Sequence, residues 1–98
     1  MKLCRFLKNA RGEHIVLVRQ GGGPNPGEWP VYYHEIRDWL IDAVGREALP
    51  TCDVSADKPW RSRVWDYNGN LPRYAFFFYS RMQAIVFEVV WHDTYICP

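Results

Sequence analysis

The sequence lacks the cysteine pattern of a disulfide-stapled or metal-bound domain. Its 98 residues include three cysteines, Cys4, Cys52 and Cys97. An odd number of cysteines without a C-x-x-C spacing predicts neither a disulfide framework nor a zinc site. We therefore expect free thiols in a reducing compartment, with no bound metal and no cofactor.

Long apolar runs are also missing. No stretch reaches the roughly 20 apolar residues of a membrane-spanning helix, and the N-terminal segment MKLCRFLKNARG lacks the apolar region of a signal peptide. These absences predict a soluble, cytoplasmic protein without a membrane partner. The length predicts a single domain over residues 1–98, and five Trp, six Tyr and five Phe supply enough apolar surface for its core.

Catalytic motifs are scarce. His34 begins the pattern H-E-x-x-D, which ends at Asp38 and matches half of a zinc-protease helix, but the second histidine is missing. His92 could act with Cys52 or Cys97, yet no local signature surrounds either cysteine. The sequence therefore predicts a protein that is not an enzyme and has no catalytic residues.

The net charge of +1 conceals an uneven distribution. Residues 1–20 carry five bases and one acid, residues 28–57 two bases and seven acids, and residues 58–98 five bases and three acids. Such segregation is typical of a small domain with one basic and one acidic face, which suits electrostatically steered binding. An ordinary solvated surface can produce the same pattern.

The N-terminal part predicts a β-hairpin followed by a loop. Residues 2–8 and 14–20 are short apolar runs, and Gly12 between them suits a positive φ in the turn. Residues 21–30, GGGPNPGEWP, contain too much glycine and proline for a helix or a central strand. Their glycine spacing does not match a nucleotide-binding loop.

A helix is predicted after Pro30, which fits a first helical turn. Residues at helical spacing share one apolar face: Tyr32, Ile36, Trp39, Leu40 and Ala43. Glu35, Asp38 and Asp42 form an acidic stripe beside that face, and Gly45 is a suitable end.

Two strands are predicted next. Residues 50–60 are polar and rich in turn formers, which indicates a long connection. Arg61–Tyr67 then has the composition of a strand, and residues 68–72 turn the chain into a second strand, Tyr74–Tyr79.

The run AIVFEVVW that follows could be a strand by propensity. However, the preceding residues contain none of the usual turn formers, and Ser80 with Gln83 makes a capping box. Ala84, Phe87 and Trp91 fall on one helical face. We therefore predict a helix, and the tail HDTYICP allows a short edge strand.

This region resembles small uncharacterised proteins encoded by bacteriophages. The resemblance is carried by an aromatic strand followed by a Ser-x-x-x-Ala-x-x-Phe-x-x-x-Trp pattern, at Phe76, Phe78, Ser80, Ala84, Phe87 and Trp91. It implies an inhibitor of a host defence complex, similar to anti-CRISPR proteins. The partner would then be a host protein or protein complex in the host cytoplasm.

Two sets of side chains are candidate partner-binding residues. Arg61, Arg63, Trp65 and Tyr67 alternate along the first strand of the second pair, so that all four should line one side. Such side chains suit a protein interface or a single-stranded nucleic acid, and they are also compatible with a core position. The acidic stripe of Glu35, Asp38 and Asp42 is the second candidate surface.

Together these patterns predict an α+β domain in the order ββαββα. The antiparallel sheet would have about four strands, with two helices packed on one face. We expect a non-enzymatic protein-binding module, and the alternative is a single-stranded nucleic-acid-binding module that uses Arg61–Tyr67.

Overall fold

The computed structural model describes residues 4–8, 12–19, 29–69, 71–92 and 94–97. Their elements are β1 (Cys4–Lys8), β2 (His14–Arg19), β3 (Trp29–Tyr32), α1 (Tyr33–Ala43), β4 (Trp60–Asn68), β5 (Leu71–Phe78), α2 (Arg81–Trp91) and β6 (Thr94–Cys97). The α+β class and both helices are confirmed. Most of the predicted loop at 21–30 lies outside the described residues.

Four strands form an antiparallel sheet in the order β1-β2-β5-β4. Both predicted hairpins, β1–β2 and β4–β5, are present, and β5 joins them at the centre of the sheet. Gly12 has a φ of 81°, as the first hairpin predicted. The four-stranded antiparallel sheet is therefore as expected.

The predicted element order ββαββα is wrong, because β3 and β6 form an additional two-stranded parallel sheet. Pro30 belongs to β3 and not to the first turn of α1. A proline is tolerated in a short, two-stranded pairing, where not every amide must donate. The helix begins after Tyr32, whose backbone N–H donates to Glu35 Oε2 at 2.7 Å.

The run after Ser80 is a helix, as predicted. The Ser80 hydroxyl accepts a hydrogen bond from the Gln83 backbone N–H at 3.5 Å, and the Ala84 N–H donates to the Ser80 carbonyl oxygen at 3.2 Å. Ala84 and Phe87 are fully buried. Capping and burial thus outweigh the β propensity of the valines in this segment.

The sheet separates two apolar clusters. Both helices pack on one face, as expected, where Phe87 lies against Phe76 and Phe78 with ring centroids 4.9 and 5.2 Å away. The other face carries a smaller cluster of Ile15, Leu17, Ala75 and Phe77. Val54, from the connection between α1 and β4, packs against this second cluster.

The backbone hydrogen bonding of β5 and the direction of its side chains together determine the handedness of the connection between β2 and β4. The Tyr79 N–H donates to the Pro59 carbonyl oxygen at 2.8 Å, so odd-numbered residues of β5 hydrogen-bond to β4 and even-numbered ones to β2. Even-numbered side chains such as Phe76 point towards the helices. We view the sheet with the helices towards the viewer and with β5 running upward. Because the residues are L-amino acids, β4 then lies to the left of β5 and β2 lies to its right. The parallel strands β2 and β4 are then joined through α1 by a right-handed crossover, which is the usual hand.

The two helices lie side by side and antiparallel in this view. α1 runs upward on the left, because Tyr33 at its start hydrogen-bonds Ser62 of β4 and packs against Tyr74 of β5. At its other end, the Gly45 carbonyl oxygen accepts a hydrogen bond from Trp60 Nε1 at 2.8 Å. α2 runs downward on the right, over β1 and β2.

Candidate protein-binding surface

Arg61 is buried and paired inside the domain. Its Nε and Nη2 atoms donate to the two carboxylate oxygens of Glu13 at 2.9 and 2.8 Å, and Nη1 donates to the Pro50 carbonyl oxygen. The guanidinium lies 4.0 Å from the centroid of the Phe77 ring, and Arg61 is only 5% exposed. Arg61 therefore fastens the connection between α1 and β4 to the sheet, and it is not positioned to contact a partner.

The expectation that four side chains of β4 line one side is not met. The pairing of β4 with β5 shifts between Val64 and Asp66, where Trp65 forms a β-bulge. Arg63 and Trp65 lie on the face opposite the helices, with the Arg63 guanidinium 5.5 Å from the Trp65 ring centroid. Tyr67 pairs with Pro72 and so moves to the helix side of the sheet. Only two of the four predicted residues stay together and accessible.

The remaining charges on this face largely cancel. Asp66 accepts hydrogen bonds from two nitrogens of Arg73, one of them Nε at 2.6 Å. These hydrogen bonds lower the pKa of Asp66 below 3.8 and raise the pKa of Arg73. Because Arg61 and Arg73 each have an acidic partner, the strand pair is less basic than its sequence suggests.

The acidic stripe of α1 is exposed and lies towards α2. Glu35, Asp38 and Asp42 are all exposed. Trp39 marks the side of α1 that contacts α2, with its ring centroid 6.1 Å from those of both Phe87 and Trp91. Glu35 and Asp42, four residues before and three after Trp39, occupy the neighbouring positions on that side of the helix. Asp38 lies next to them, farther outward.

The opposite flank of α1 carries a different set of charges. Arg37 Nε donates to Glu47 Oε1 at 3.0 Å, and this contact raises the pKa of Arg37. Tyr33 is also on this side, and its burial raises the pKa of its hydroxyl. The cation of α1 is therefore engaged away from α2, and it does not neutralise the acidic stripe.

Helix α2 has an exposed apolar row that the sequence reasoning missed. Met82, Val86, Val89 and Val90 are all exposed, and Met82 and Val89 reach 67%. Their spacing of three and four residues makes the row continuous. A helical projection could have found it, because the segment has more apolar positions than one core face can bury.

The apolar row and the acidic stripe border the same groove. In the view used above, with the helices towards the viewer, α2 is a right-handed helix that runs downward on the right. Its Val86 and Val90 therefore lie on the side towards α1, and its Met82 and Val89 point outward, away from the sheet. Trp39 is level with the helical turn between Phe87 and Trp91. Because the two helices run antiparallel, Asp42 then lies across from Val86. By the same alignment, Asp38 lies across from Val90. We call this feature the interhelical groove; its walls are Glu35, Asp38 and Asp42 on α1, and Met82, Val86, Val89 and Val90 on α2.

The residues considered for chemistry are not gathered into a site. His34 stacks on Tyr32, with ring centroids 5.7 Å apart, on the outer surface of α1. His92 is exposed at the end of α2, with Nδ1 3.3 Å from the Val89 carbonyl oxygen. Cys52 is exposed and Cys97 is partly buried. Within the described ranges, no group of three or more His, Cys, Asp or Glu residues could hold a metal ion, and none of the helices there is long and apolar enough to span a membrane.

Comparisons with known proteins find no relative of this chain. No family model matches it, and neither a curated protein nor a solved structure does. Its function must therefore be argued from its own surfaces, and the interhelical groove combines an exposed apolar row with a row of charge.

Proposed function

We propose that this protein is a non-enzymatic protein-binding module and that the interhelical groove is its binding surface. The observation that supports this most directly is the exposed apolar row of α2. Contiguous exposed apolar side chains on a small domain are typical of an interface, whereas isolated ones are not. The adjacent acidic stripe would add orientation and selectivity to the contact.

The apolar row alone cannot supply tight binding. Complete burial of a valine or methionine side chain contributes roughly 1.5–3 kcal/mol, and these four side chains are already partly covered. Their further burial would contribute roughly 4 kcal/mol before the cost of association is subtracted, and that cost alone is about that large or larger. A stable complex therefore also needs the charged wall of the groove.

The proposal is tested by comparing how much partner protein the native protein and two variants recover. Recovery of a partner by the native protein alone would not test it. Val89→Glu adds a charge to the apolar row, and Ile41→Glu makes a similar change at another exposed aliphatic residue, on the far side of α1. Both should keep the urea midpoint of the native protein, since neither side chain is in the core. We expect one stoichiometric partner that the native protein and Ile41→Glu recover equally and Val89→Glu recovers at least tenfold less. Equal recovery by both variants would count against the groove.

The alternative function is binding of single-stranded nucleic acid by β4. It depends on Arg63 and Trp65, because Arg61 is buried and Tyr67 lies on the other face of the sheet. The contact between the Arg63 guanidinium and the exposed Trp65 ring suits base stacking. This function stays a prediction. Oligonucleotide binding at low salt that disappears in Arg63→Ala/Trp65→Ala would support it.

The resemblance to bacteriophage-encoded proteins supplies a further prediction about the partner. A host defence complex such as CRISPR–Cas would present basic surfaces, because it holds nucleic acid. An acidic and apolar groove is complementary to such a surface. The identity of the partner recovered in the comparison above checks this prediction.

A further inference from the structure

The two walls of the interhelical groove differ, and this difference constrains the partner. One wall offers carboxylates at Asp38 and Asp42, and the other offers the apolar side chains of Val86 and Val90. An occupant must therefore carry apolar and cationic groups side by side. The inference about the occupant rests on the binding function proposed above for this groove.

A second copy of this chain fits poorly. In a two-fold contact through the helical layer, the same surface faces itself. With the helices aligned, the acidic stripe then meets either the other acidic stripe or the other apolar row. The first arrangement is repulsive, and the second removes water from carboxylates without giving them a counter-charge.

Nucleic acid is also a poor occupant. Glu35, Asp38 and Asp42 are exposed along one wall, and a row of negative charge repels phosphates. Arg37, the base on α1, is paired with Glu47 on the other flank of the helix. The electrostatics of the groove therefore favour a cationic partner.

The backbone of the walls favours a helical partner over an extended one. Both walls are α-helices, and their interior amide and carbonyl groups are already used within the helices. An extended segment laid in the groove would find no backbone partners and would bury unsatisfied polar groups. A helix satisfies its own backbone and presents only side chains.

We propose that the interhelical groove binds an amphipathic α-helix of a partner protein that carries lysine or arginine along one flank. Its apolar side chains, at spacings of three and four residues, pack against Val86, Val89 and Val90. Its basic flank meets Asp38 and Asp42. Each wall is a helix of 11 residues, so that the contact spans about 16 Å, or about three turns of the bound helix.

Two synthetic helical peptides test this assignment. Both carry leucines at the same heptad-like positions, and the flank that borders the leucines has lysines in one peptide and glutamates in the other. We expect the lysine peptide to bind at least tenfold more tightly at low salt, with the difference shrinking at about 0.5 M salt. Amide chemical-shift changes should concentrate in α1 and α2. Equal affinity for the two peptides, or no binding of either, would overturn the proposal.

Matched variants sharpen the test. Asp38→Lys/Asp42→Lys should reverse the preference towards the glutamate peptide, Val89→Glu should weaken binding of both, and Ile41→Glu should bind as the native protein does. A concentration-dependent dimer that Val89→Glu abolishes would assign the groove to a second copy and overturn the proposal. If the peptides fail while a natural partner is still lost in Val89→Glu, the helix assignment falls and the protein-binding function stands.

Discussion

Replacing Arg61 by methionine removes a guanidinium that makes three hydrogen-bonding contacts inside the domain. Two of these contacts go to the Glu13 carboxylate, at 2.9 and 2.8 Å, and one goes to the Pro50 carbonyl oxygen. Glu13 is only 4% exposed, so that the substitution takes the Arg61 cation away from a buried carboxylate, which still accepts a hydrogen bond from the Val54 N–H. The methionine side chain can still cover much of the Phe77 ring, which limits the loss of packing.

The expected loss of stability comes mainly from separating a buried carboxylate from the Arg61 cation. Removing one partner of a buried ion pair typically costs about 3–5 kcal/mol, which is a large part of the roughly 5–15 kcal/mol that stabilises a small domain. With an m value of about 1.5 kcal/mol/M in urea, the unfolding midpoint should fall by roughly 2–3 M. Arg63→Met, two residues away on the same strand but exposed, should change stability by less than about 0.5 kcal/mol.

Equilibrium urea unfolding, followed by tryptophan fluorescence at pH 7, measures both variants. The double variant Arg61→Met/Glu13→Leu removes the buried carboxylate as well, and it should be at least as stable as Arg61→Met alone. A loss below about 1 kcal/mol in Arg61→Met would refute the buried ion pair. Arg61 would then return to the set of residues available to a partner.

Three further changes probe the core, a backbone constraint and a surface charge. Phe87→Ala should lower the free energy of unfolding by about 3–5 kcal/mol in the same urea assay, and a loss under about 1 kcal/mol would contradict its central place between helices and sheet. Gly45→Ala should lower the free energy of unfolding by about 1–2 kcal/mol, because Gly45 has a φ of 136° and an added Cβ would lie 3.3 Å from Pro59 Cγ. An unchanged free energy of unfolding would contradict this geometry. Asp66 should titrate below 3.8 by carboxyl-carbon NMR and return towards that value in Arg73→Gln, since the Arg73 hydrogen bonds lower its pKa. The stabilisation from this pair should be present above pH 3.8 and should disappear as the pH falls through the lowered pKa.

Local signals in the sequence predicted the elements whose determinants lie within a few residues. Ser80 and Gln83 identified the start of α2, and Gly12 identified the first hairpin. The apolar spacing around Ile36 identified α1. These features depend on turn chemistry and helical periodicity, which are properties of the neighbouring chain.

Features that depend on distant partners were not predicted. The tail HDTYICP was expected to allow a short edge strand, and β6 forms there, but its parallel pairing with β3 was not predicted. β3 itself was not predicted, because its four residues gain their pairing from β6, far along the chain. Pro30 fits a helix start as well as an edge strand, so its position could not decide between them. Arg61 is buried because Glu13, 48 positions away in sequence, comes to lie beside it.

The candidate surface was predicted in part. The acidic stripe of Glu35, Asp38 and Asp42 was found from its spacing, and it is exposed. The apolar row of α2 was visible in the same kind of projection, but the prediction considered only the face of Ala84, Phe87 and Trp91. The exposure of the apolar row follows from the position of α2 on the sheet, which periodicity alone does not give.

The bulge at Trp65 also has a consequence for how the sheet ends. β4 is the outer strand of the four-stranded sheet, and among the described residues its outer side is bridged only at Trp60, by Glu47. A regular edge of nine residues would offer a template for another chain to add a strand, and so begin a fibrous aggregate. The extra residue at Trp65 bends this edge and interrupts its hydrogen-bonding register, so that an incoming strand cannot pair along its whole length. An irregularity that redirects Tyr67 thus also protects the protein against edge-to-edge polymerisation.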